Sequence, residues 1–398
     1  MRRFVVIGSG PAGLMVADRL SAAGHAVTLV EKMPSAGRRL LMAGRGGLNL
    51  THSEPLPRFL ARYGAAQEFL SPLIEAFSPA DLMSFVEGLG ETCFVGSSGR
   101  VFPKAMKASP LLRAWLRRLG SRGVELHLST AWRGWDGAGR VLVETGGRVE
   151  AMEADAVLIA CGGASWPRLG GGSEALDLVR ALGVETRPFT ASNVGVRIPW
   201  QGDFADRFAG APLKACRFSV GSATSRAEAV VTRRGLEGGA IYALGGALRQ
   251  ALAEGGVAQL SLDLKPDLSL EQVQERLARQ PASQSGANRL RKALNLSPLA
   301  LALMRQGPRE RDMALAVKSL SLEITATEGL ERAISSAGGV AFGALTPALM
   351  LKDRPGVFVA GEMLDFDAPT GGYLLQAAFA TGDAAAKGML AYQKCGPV

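Results

Sequence analysis

The sequence predicts an α/β protein built on a Rossmann-like domain, with a β-rich second domain inserted into it. A strand, a glycine-rich turn, a helix and a second strand follow one another within residues 3–30. This order is typical of a βαβ unit in a parallel sheet. Two later buried runs, 155–161 and 356–360, also pass directly into glycine, whereas the middle of the chain carries short β-like runs.

The N-terminal unit carries the most specific motif. The apolar run 3–7 predicts a buried strand, and the strand ends in the G-x-G-x-x-G turn Gly8-Ser9-Gly10-Pro11-Ala12-Gly13. In such a turn the first glycine makes the bend, the second lets backbone approach a pyrophosphate, and the third lets helix and strand pack closely. A helix over 12–23 and a strand over 26–30 follow. Glu31 can then accept hydrogen bonds from ribose hydroxyls, so the pattern predicts a dinucleotide site; the alternative is a glycine-rich turn in an ordinary βαβ unit.

A glycine- and arginine-rich stretch follows at residues 37–52. Its four glycines argue against a stable helix or a central strand, so we expect a loop whose backbone can lie against a ligand. Arg38 and Arg45 can pair with phosphate, and Asn49 and Thr51 can bond a polar ring edge. The alternative is a solvated surface loop.

Two further predicted strands, 155–161 and 356–360, also end directly before a glycine. The carboxyl ends of parallel strands meet at one edge of a sheet, so Gly162 and Gly361 are expected near the same ligand as the first turn. Cys161 is interpreted as a small packing residue, the alternative being a reactive thiol. The stretch Thr370-Gly371-Gly372-Tyr373 precedes a helix predicted over 375–390. One elongated dinucleotide could contact the glycines that follow all three strands.

The difference in sequence pattern between the two ends and the middle of the chain suggests a discontinuous first domain. Residues 190–340 carry short β-like runs and no dinucleotide motif, and Ser269 opens a capping box before a helix. We therefore expect a first domain from residues 1–189 and 341–398. The inserted substrate-side domain is expected over 190–340, with a helical piece at about 268–310.

Composition limits the classes of function. The net charge is +9, but the basic residues are scattered, so a nucleic-acid partner is not favoured. No run approaches the roughly 20 apolar residues that span a bilayer, and the N-terminus does not resemble a signal peptide, which leads us to expect a cytoplasmic protein. Neither the cysteines, Cys93, Cys161, Cys216 and Cys395, nor the three histidines have metal-ligand spacing.

These motifs resemble those of known flavoproteins. The glycine turn with Glu31 and the run 357–362 resemble the two motifs of FAD-binding flavoproteins of the two-dinucleotide-binding-domain type. More narrowly, residues 37–52 and 361–373 resemble the HI0933-like family, also called the BaiN/RdsA-type NAD(P)/FAD-dependent oxidoreductases. The resemblance covers nearly the whole chain. It implies a Rossmann-like FAD-binding domain split by a β-rich insertion with a small helical piece.

In the second flavoprotein motif, Glu362 stands where many members have aspartate. The chain departs from the commoner family pattern at two positions: Leu48 stands where many relatives have cysteine before the asparagine, and Leu374 where relatives often have asparagine. These two changes bear on the substrate. They leave the expected FAD site unchanged, because its phosphate and ribose contacts lie elsewhere.

The resemblance implies an FAD-dependent oxidoreductase that transfers hydride between flavin and a small organic substrate. No second glycine turn of the Rossmann type follows a strand, so NAD(P)H is expected to act, if at all, as a transient electron donor. The alternatives are a flavin-dependent RNA (tRNA)-modifying protein and a flavin-binding protein without turnover. Oligomeric state is left open.

The candidate site residues follow from these motifs. We expect the N–H groups of residues 372–374 at the pyrimidine edge of the flavin, and Glu362 and Asp367 near its ribityl chain or phosphates through backbone contacts. His52 is the candidate proton donor or acceptor, the alternative being a surface polar residue. The candidate cofactor-binding residues are Gly8, Ser9, Gly10, Pro11, Ala12, Gly13, Glu31, Lys32, Arg38, Gly44, Arg45, Gly46, Asn49, Ala131, Ala160, Gly162, Gly361, Glu362, Asp367, Thr370, Gly371, Gly372 and Tyr373.

Overall fold

The computed structural model describes residues 1–308 and 310–393; Cys395 lies outside these residues. The chain forms two compact units. Of the described residues, the first unit contains 1–190 and 334–393, and the second contains 191–308 and 310–333. That residues 1–189 with 341–398, and residues 190–340, behave as separate domains stays a prediction.

The helices and strands are numbered in chain order. The strands are β1 (Arg3–Ile7), β2 (Ala26–Val30), β3 (Thr51–His52), β4 (Cys93–Val95), β5 (Arg100–Pro103), β6 (Glu125–His127), β7 (Thr130–Trp135), β8 (Val141–Thr145), β9 (Arg148–Met152), β10 (Ala156–Ile159), β11 (Thr186–Ser192), β12 (Val196–Arg197), β13 (Pro212–Leu213), β14 (Arg217–Val220), β15 (Ala223–Ser225), β16 (Ala229–Thr232), β17 (Gly235–Glu237), β18 (Ala258–Asp263), β19 (Leu320–Ile324), β20 (Ala326–Thr327), β21 (Ser335–Val340) and β22 (Val357–Val359). The α-helices are α1 (Pro11–Ala22), α2 (Arg38–Ala43), α3 (Leu56–Ala61), α4 (Gln67–Ala76), α5 (Pro79–Glu87), α6 (Ala108–Ser121), α7 (Glu174–Arg180), α8 (Phe204–Phe208), α9 (Gly239–Ala243), α10 (Gly245–Gly255), α11 (Leu270–Ala278), α12 (Gly286–Leu294), α13 (Pro298–Leu303), α14 (Met313–Lys318) and α15 (Tyr373–Ala391).

A parallel sheet in the order β22-β10-β1-β2-β6 forms the centre of the first unit. The register pairs Val6 with Leu158 and with Leu29. Nearly every residue of β1, β10 and β22 is buried, as expected for strands covered on both faces. All the strands end at one edge, so the chain segments that follow them meet there. The predicted α/β, Rossmann-like fold class is confirmed.

Helices α1 and α15 cross closely beside this sheet. A Cβ on Gly382 would lie 2.8 Å from the carbonyl oxygen of Ala12, so glycine is required at this crossing. Two buried carboxylates then connect α1 with its neighbours. Asp18 accepts hydrogen bonds from Trp115 Nε1 and Arg122 of the α6 region, each at 3.0 Å, and Arg19 donates to Asp383 of α15 at 2.7 Å. These contacts connect the C-terminal half of α1 with α6 and α15.

The expectation that residues 37–52 form only a loop is wrong at one point. Arg38–Ala43 forms the short helix α2, which starts after Gly37 in the left-handed conformation and ends at Gly44. Burial of Leu40, at 2% exposure, stabilises this turn of helix against the core. The rest of the stretch leads into β3, which pairs with β5 in the three-stranded sheet β3-β5-β4.

The second unit has its own hydrophobic core. Its strands form the sheets β13-β16-β17-β12-β20 and β15-β14-β18-β19. Helix α11 begins with the predicted capping box, in which Ser269 and Gln272 satisfy each other's backbone N–H groups. Helices α12 and α13 follow it; that residues from about 268 to 310 form a helical piece of their own stays a prediction.

Candidate cofactor site

A cavity of about 810 Å³ lies at the carboxyl edge of the parallel sheet, and all of its lining residues belong to the first unit. Segments that are distant in sequence line it together. The predicted site residues among them are Gly8, Ser9, Gly10, Pro11, Ala12, Glu31, Lys32, Arg38, Arg45, Asn49, Ala131, Ala160, Gly162, Gly361, Glu362, Thr370, Gly371 and Gly372.

The three motif glycines have different surroundings. Gly8 has φ +102°, and a Cβ there would lie 2.4 Å from the carbonyl oxygen of Ala160. A Cβ on Gly13 would lie 1.9 Å from the Gly8 carbonyl oxygen, so Gly13 permits α1 to pack under the turn and does not line the cavity. A Cβ on Gly10 would meet nothing within 4 Å. Gly10 therefore keeps cavity volume free, as a closely approaching ligand requires.

Glu31 orders the glycine turn from the neighbouring strand. One carboxylate oxygen accepts hydrogen bonds from the Ser9 backbone N–H at 3.1 Å and from its hydroxyl at 2.5 Å. The other accepts from the Met33 N–H at 2.9 Å. Each oxygen can accept more than one hydrogen bond, so the predicted contact to a ribose remains compatible with these bonds and stays a prediction. Lys32 beside it pairs with Glu174 at 3.4 Å.

Arg39, which the sequence patterns do not single out, also lines the cavity. It donates to the carbonyl oxygens of Cys161 at 2.5 Å and Gly163 at 2.8 Å. A Cβ on Gly162, which has φ +69°, would lie 2.3 Å from this guanidinium. Because Arg38 and Arg39 are adjacent, only the orientation of α2 decides which of them faces the backbone after β10, and the local pattern does not reveal it.

The side chain of Glu362 connects three segments. It accepts hydrogen bonds from the backbone N–H groups of Gly163 at 3.2 Å and Ser336 at 3.0 Å. Arg39 lies 3.4 Å from the same carboxylate. The carboxylate thus braces the backbone around the cavity. A ribityl contact through the Glu362 backbone stays a prediction.

Two polar atoms at the cavity wall are buried without a hydrogen-bond partner among residues 1–308 and 310–393. They are Nε of Arg38 and Oδ1 of Asn49, and both residues line the cavity. A buried polar atom without a partner is unfavourable by about 1–3 kcal/mol, so a donor and an acceptor of a ligand would stabilise this wall. Arg45 and Arg100 also line the cavity; Arg100 lies in a hairpin and gave no sequence signal.

The start of α15 forms another part of the wall. Gly371 and Gly372 have φ +136° and +95°, and a Cβ on Gly372 would lie 2.5 Å from Cα of Thr51. Glycine is therefore required here for close approach to β3. Gly372 is the N-cap and no side chain caps the helix, which leaves the N–H groups of its first turn for a ligand.

His52 lies behind this wall and does not line the cavity. Its Nδ1 accepts the Glu54 backbone N–H at 3.0 Å, so its Nε2 carries the proton and donates to the Ser98 carbonyl oxygen at 3.1 Å. Its ring stacks on Tyr373 with 5.7 Å between centroids. Both nitrogens are engaged, and these contacts favour a structural role. The catalytic role stays a prediction.

Five further predicted residues do not line the cavity: Gly13, Gly44, Gly46, Asp367 and Tyr373. Gly44 and Gly46 line a separate depression of about 510 Å³ that shares Arg45 with the cavity.

Cys161 lines the cavity as a thiol rather than a thiolate. Burial raises the pKa of the Cys161 thiol to about 12, and the negative charge of Glu31 adds to the effect. Its Sγ lies 3.9 Å from the Ile7 carbonyl oxygen. These surroundings agree with a packing residue.

Two kinds of feature are absent from the part of the chain that the structure describes. No group of three or more histidine, cysteine, aspartate or glutamate side chains is placed to hold a metal ion there. Within the same residues, no helix has the length and apolar character needed to cross a membrane.

Comparisons with known proteins agree with this architecture. A 3-dehydro-bile acid delta(4,6)-reductase of Clostridium scindens is 26% identical, covering 96% of this chain and 97% of the relative. A ribosomal RNA dihydrouridine synthase of Escherichia coli is 24% identical, covering 98% and 99%. A solved 3-ketosteroid delta1-dehydrogenase from Sterolibacterium denitrificans, in complex with 1,4-androstadiene-3,17-dione, has a TM-score of 0.56 at 13% identity, covering 98% and 100%. That last likeness supports the fold alone.

The profile of the family described as HI0933-like protein Rossmann domain matches residues 2–388. This match confirms the resemblance inferred from the motifs. Both relatives are named as enzymes, in agreement with the predicted enzyme class. The chain belongs to the HI0933-like family.

Proposed function

We propose that this protein is an FAD-dependent oxidoreductase that binds FAD in the cavity of the first unit and acts on a small organic substrate. The observation that carries the proposal is that four segments line one cavity. They are the glycine turn, Gly162 after β10, Gly361 after β22, and the N-terminus of α15. The glycines in these segments have no Cβ that would obstruct a ligand, and the N–H groups at the start of α15 are not capped by a side chain. Both features suit an elongated dinucleotide.

The residues present fit such a cofactor. The turn around Gly10 and the N-terminus of α1 would hold the pyrophosphate, because free N–H groups and the positive end of the helix dipole favour anions. Glu31 lies at the end of β2, where an acidic residue binds ribose in this type of fold. The unpartnered atoms of Arg38 and Asn49 would gain partners from the cofactor.

The N-terminus of α15 would serve the redox chemistry. FAD supplies hydride transfer, and the protein supplies position and charge. The uncapped N–H groups after Gly372 would stabilise negative charge on a bound ring system, with the helix dipole adding to the effect. Arg45 and Arg100 at the cavity wall would add positive charge.

The electron donor we propose is a transiently bound nicotinamide nucleotide. Support comes from the sequence, which contains one strand-linked G-x-G-x-x-G turn, and that turn is assigned to FAD. The bile-acid relative is named a reductase, which favours transfer from flavin to substrate as the direction.

A second candidate is flavin-dependent RNA modification. The relative from Escherichia coli, similar over nearly its whole length, is named for action on ribosomal RNA, and this chain carries a net charge of +9. Binding to RNA phosphates would weaken steeply with salt. Retention on RNA at low salt that is lost at high salt would favour this candidate over the small-molecule substrate.

One experiment tests the redox proposal. The protein purified with its flavin is reduced anaerobically with NADH and, separately, with NADPH, and the flavin absorbance is followed. We expect bleaching with at least one of them. Bleaching with dithionite but with neither nucleotide would contradict the proposed donor, and the absence of any bound flavin would contradict the proposed function.

A further inference from the structure

A cluster of side chains behind the cavity wall holds the first residue of α15. The Tyr373 hydroxyl donates to a carboxylate oxygen of Glu54 at 2.5 Å. Arg62 donates to both oxygens of the same carboxylate, at 3.1 and 2.9 Å. We call Glu54, Arg62 and Tyr373 the Tyr373 cluster. Its bidentate, charge-assisted geometry is the strong and directional kind of hydrogen bonding.

Further contacts restrain the same residue from other sides. The Tyr63 hydroxyl donates to the backbone carbonyl of Tyr373 at 2.7 Å. The rings of His52 and Phe59 lie against the Tyr373 ring, with centroids at 5.7 and 4.8 Å. Tyr373 is 4% exposed. Both its main chain and its side chain are therefore held in place.

The protonation states keep this arrangement constant near neutral pH. The hydrogen bonds from Arg62 are the main cause of the lowered pKa of the Glu54 carboxyl. Burial, together with the bond to Glu54, raises the pKa of the Tyr373 hydroxyl above its ordinary value. Glu54 thus remains an acceptor and Tyr373 a donor.

The Tyr373 cluster is directly connected to backbone that lines the cavity. Tyr373 directly follows Gly371 and Gly372, which line the cavity and have left-handed φ values. Adjacent glycines have wide conformational freedom, so they do not define the path of the backbone by themselves. None of the three cluster residues lines the cavity. Their contacts can reach a ligand only through the backbone that they hold.

We propose that the Tyr373 cluster positions the N-terminus of α15 against the flavin and thereby sets both FAD affinity and the flavin reduction potential. This inference rests on the proposed function. Its residues are positioning residues, because they act through the backbone N–H groups at the cavity wall. Electrostatic stabilisation by such groups depends on their being fixed before charge develops.

The test compares Tyr373→Phe with wild type and with Tyr392→Phe. Tyr392 lies immediately after the other end of α15, so the control makes the same chemical change far from the cavity. The Kd for FAD is measured on apoprotein, and the flavin midpoint potential is measured by equilibration with a reference dye. We expect Tyr373→Phe to weaken FAD binding by about tenfold and to make the potential more negative, while Tyr392→Phe changes neither.

Unchanged affinity and an unchanged potential in folded Tyr373→Phe would overturn the inference. If that variant does not fold, Glu54→Gln takes its place, since it keeps the side-chain shape and removes the charge. Amide hydrogen exchange of apoprotein gives a readout independent of flavin: exchange of the Gln376 N–H, which donates to the Gly372 carbonyl oxygen at 2.9 Å, should quicken in the variant. Wild type that binds no FAD would refute the proposed function, whereas unaltered exchange in the variants would refute the positioning role.

Discussion

At the scale of residues, Cys161 shows how surroundings decide the role of a reactive group. Its thiol lines the cavity, and burial raises its pKa to about 12. The thiolate is the nucleophilic form. At pH 8 only about one thiol in ten thousand would be ionised, so this cysteine is poorly suited to covalent catalysis in spite of its place beside the proposed cofactor.

The raised pKa of the Cys161 thiol predicts that alkylation of this cysteine depends on pH. Because the thiol loses its proton only as pH approaches about 12, iodoacetamide should leave Cys161 unlabelled at pH 8, and labelling should rise about tenfold per pH unit above it. Peptide mapping by mass spectrometry checks the result, with urea-denatured protein as the control that labels readily. Rapid labelling of the folded protein at pH 8 would contradict the packing role.

At the scale of elements, a buried carboxylate anchors α1, the helix whose N-terminus we assign to the pyrophosphate. Asp18 is buried in α1, with its side chain 4% exposed, and it pairs with Arg122 at 3.0 Å and Arg118 at 3.6 Å. Removing one partner of a buried pair leaves the others with unpaired charge, which is destabilising by about 3–5 kcal/mol.

We therefore expect Asp18→Ala to lower the free energy of unfolding by about 3 kcal/mol, measured by urea denaturation. Glu153→Ala is the matched control, since Glu153 pairs with Arg3 at 2.8 Å but both side chains are 62% exposed. Exposed pairs contribute about 0–1 kcal/mol. Equal effects of the two substitutions would show that Asp18 does not anchor α1.

The same scale shows what local sequence can and cannot predict. The sequence predicts β1 and β2 with their observed bounds, because a buried strand followed by a glycine turn is a local pattern. The local pattern does not predict helix α2, because the stability of this helix comes from burying Leu40, a tertiary effect. The hydrogen bond between Tyr373 and Glu54 joins residues 319 positions apart, and no periodicity within either segment reveals such a pair.

At the scale of the whole molecule, the proposed function depends on FAD occupying the cavity of the first unit. Gly10 offers the most direct test, because its φ of −75° suits any residue and a Cβ there meets no atom within 4 Å. A larger side chain should fill cavity space without disturbing the fold. Gly137, in the turn between β7 and β8, also has open space around it and does not line the cavity.

The decisive measurement is the flavin content of wild type, Gly10→Val and Gly137→Val, each purified without added cofactor and denatured to release what is bound. We predict about one equivalent of FAD, and no FMN, from wild type and from Gly137→Val, and little flavin from folded Gly10→Val, because the valine blocks approach of the pyrophosphate. Full flavin occupancy in folded Gly10→Val, or wild type that releases FMN or no flavin, would contradict the account.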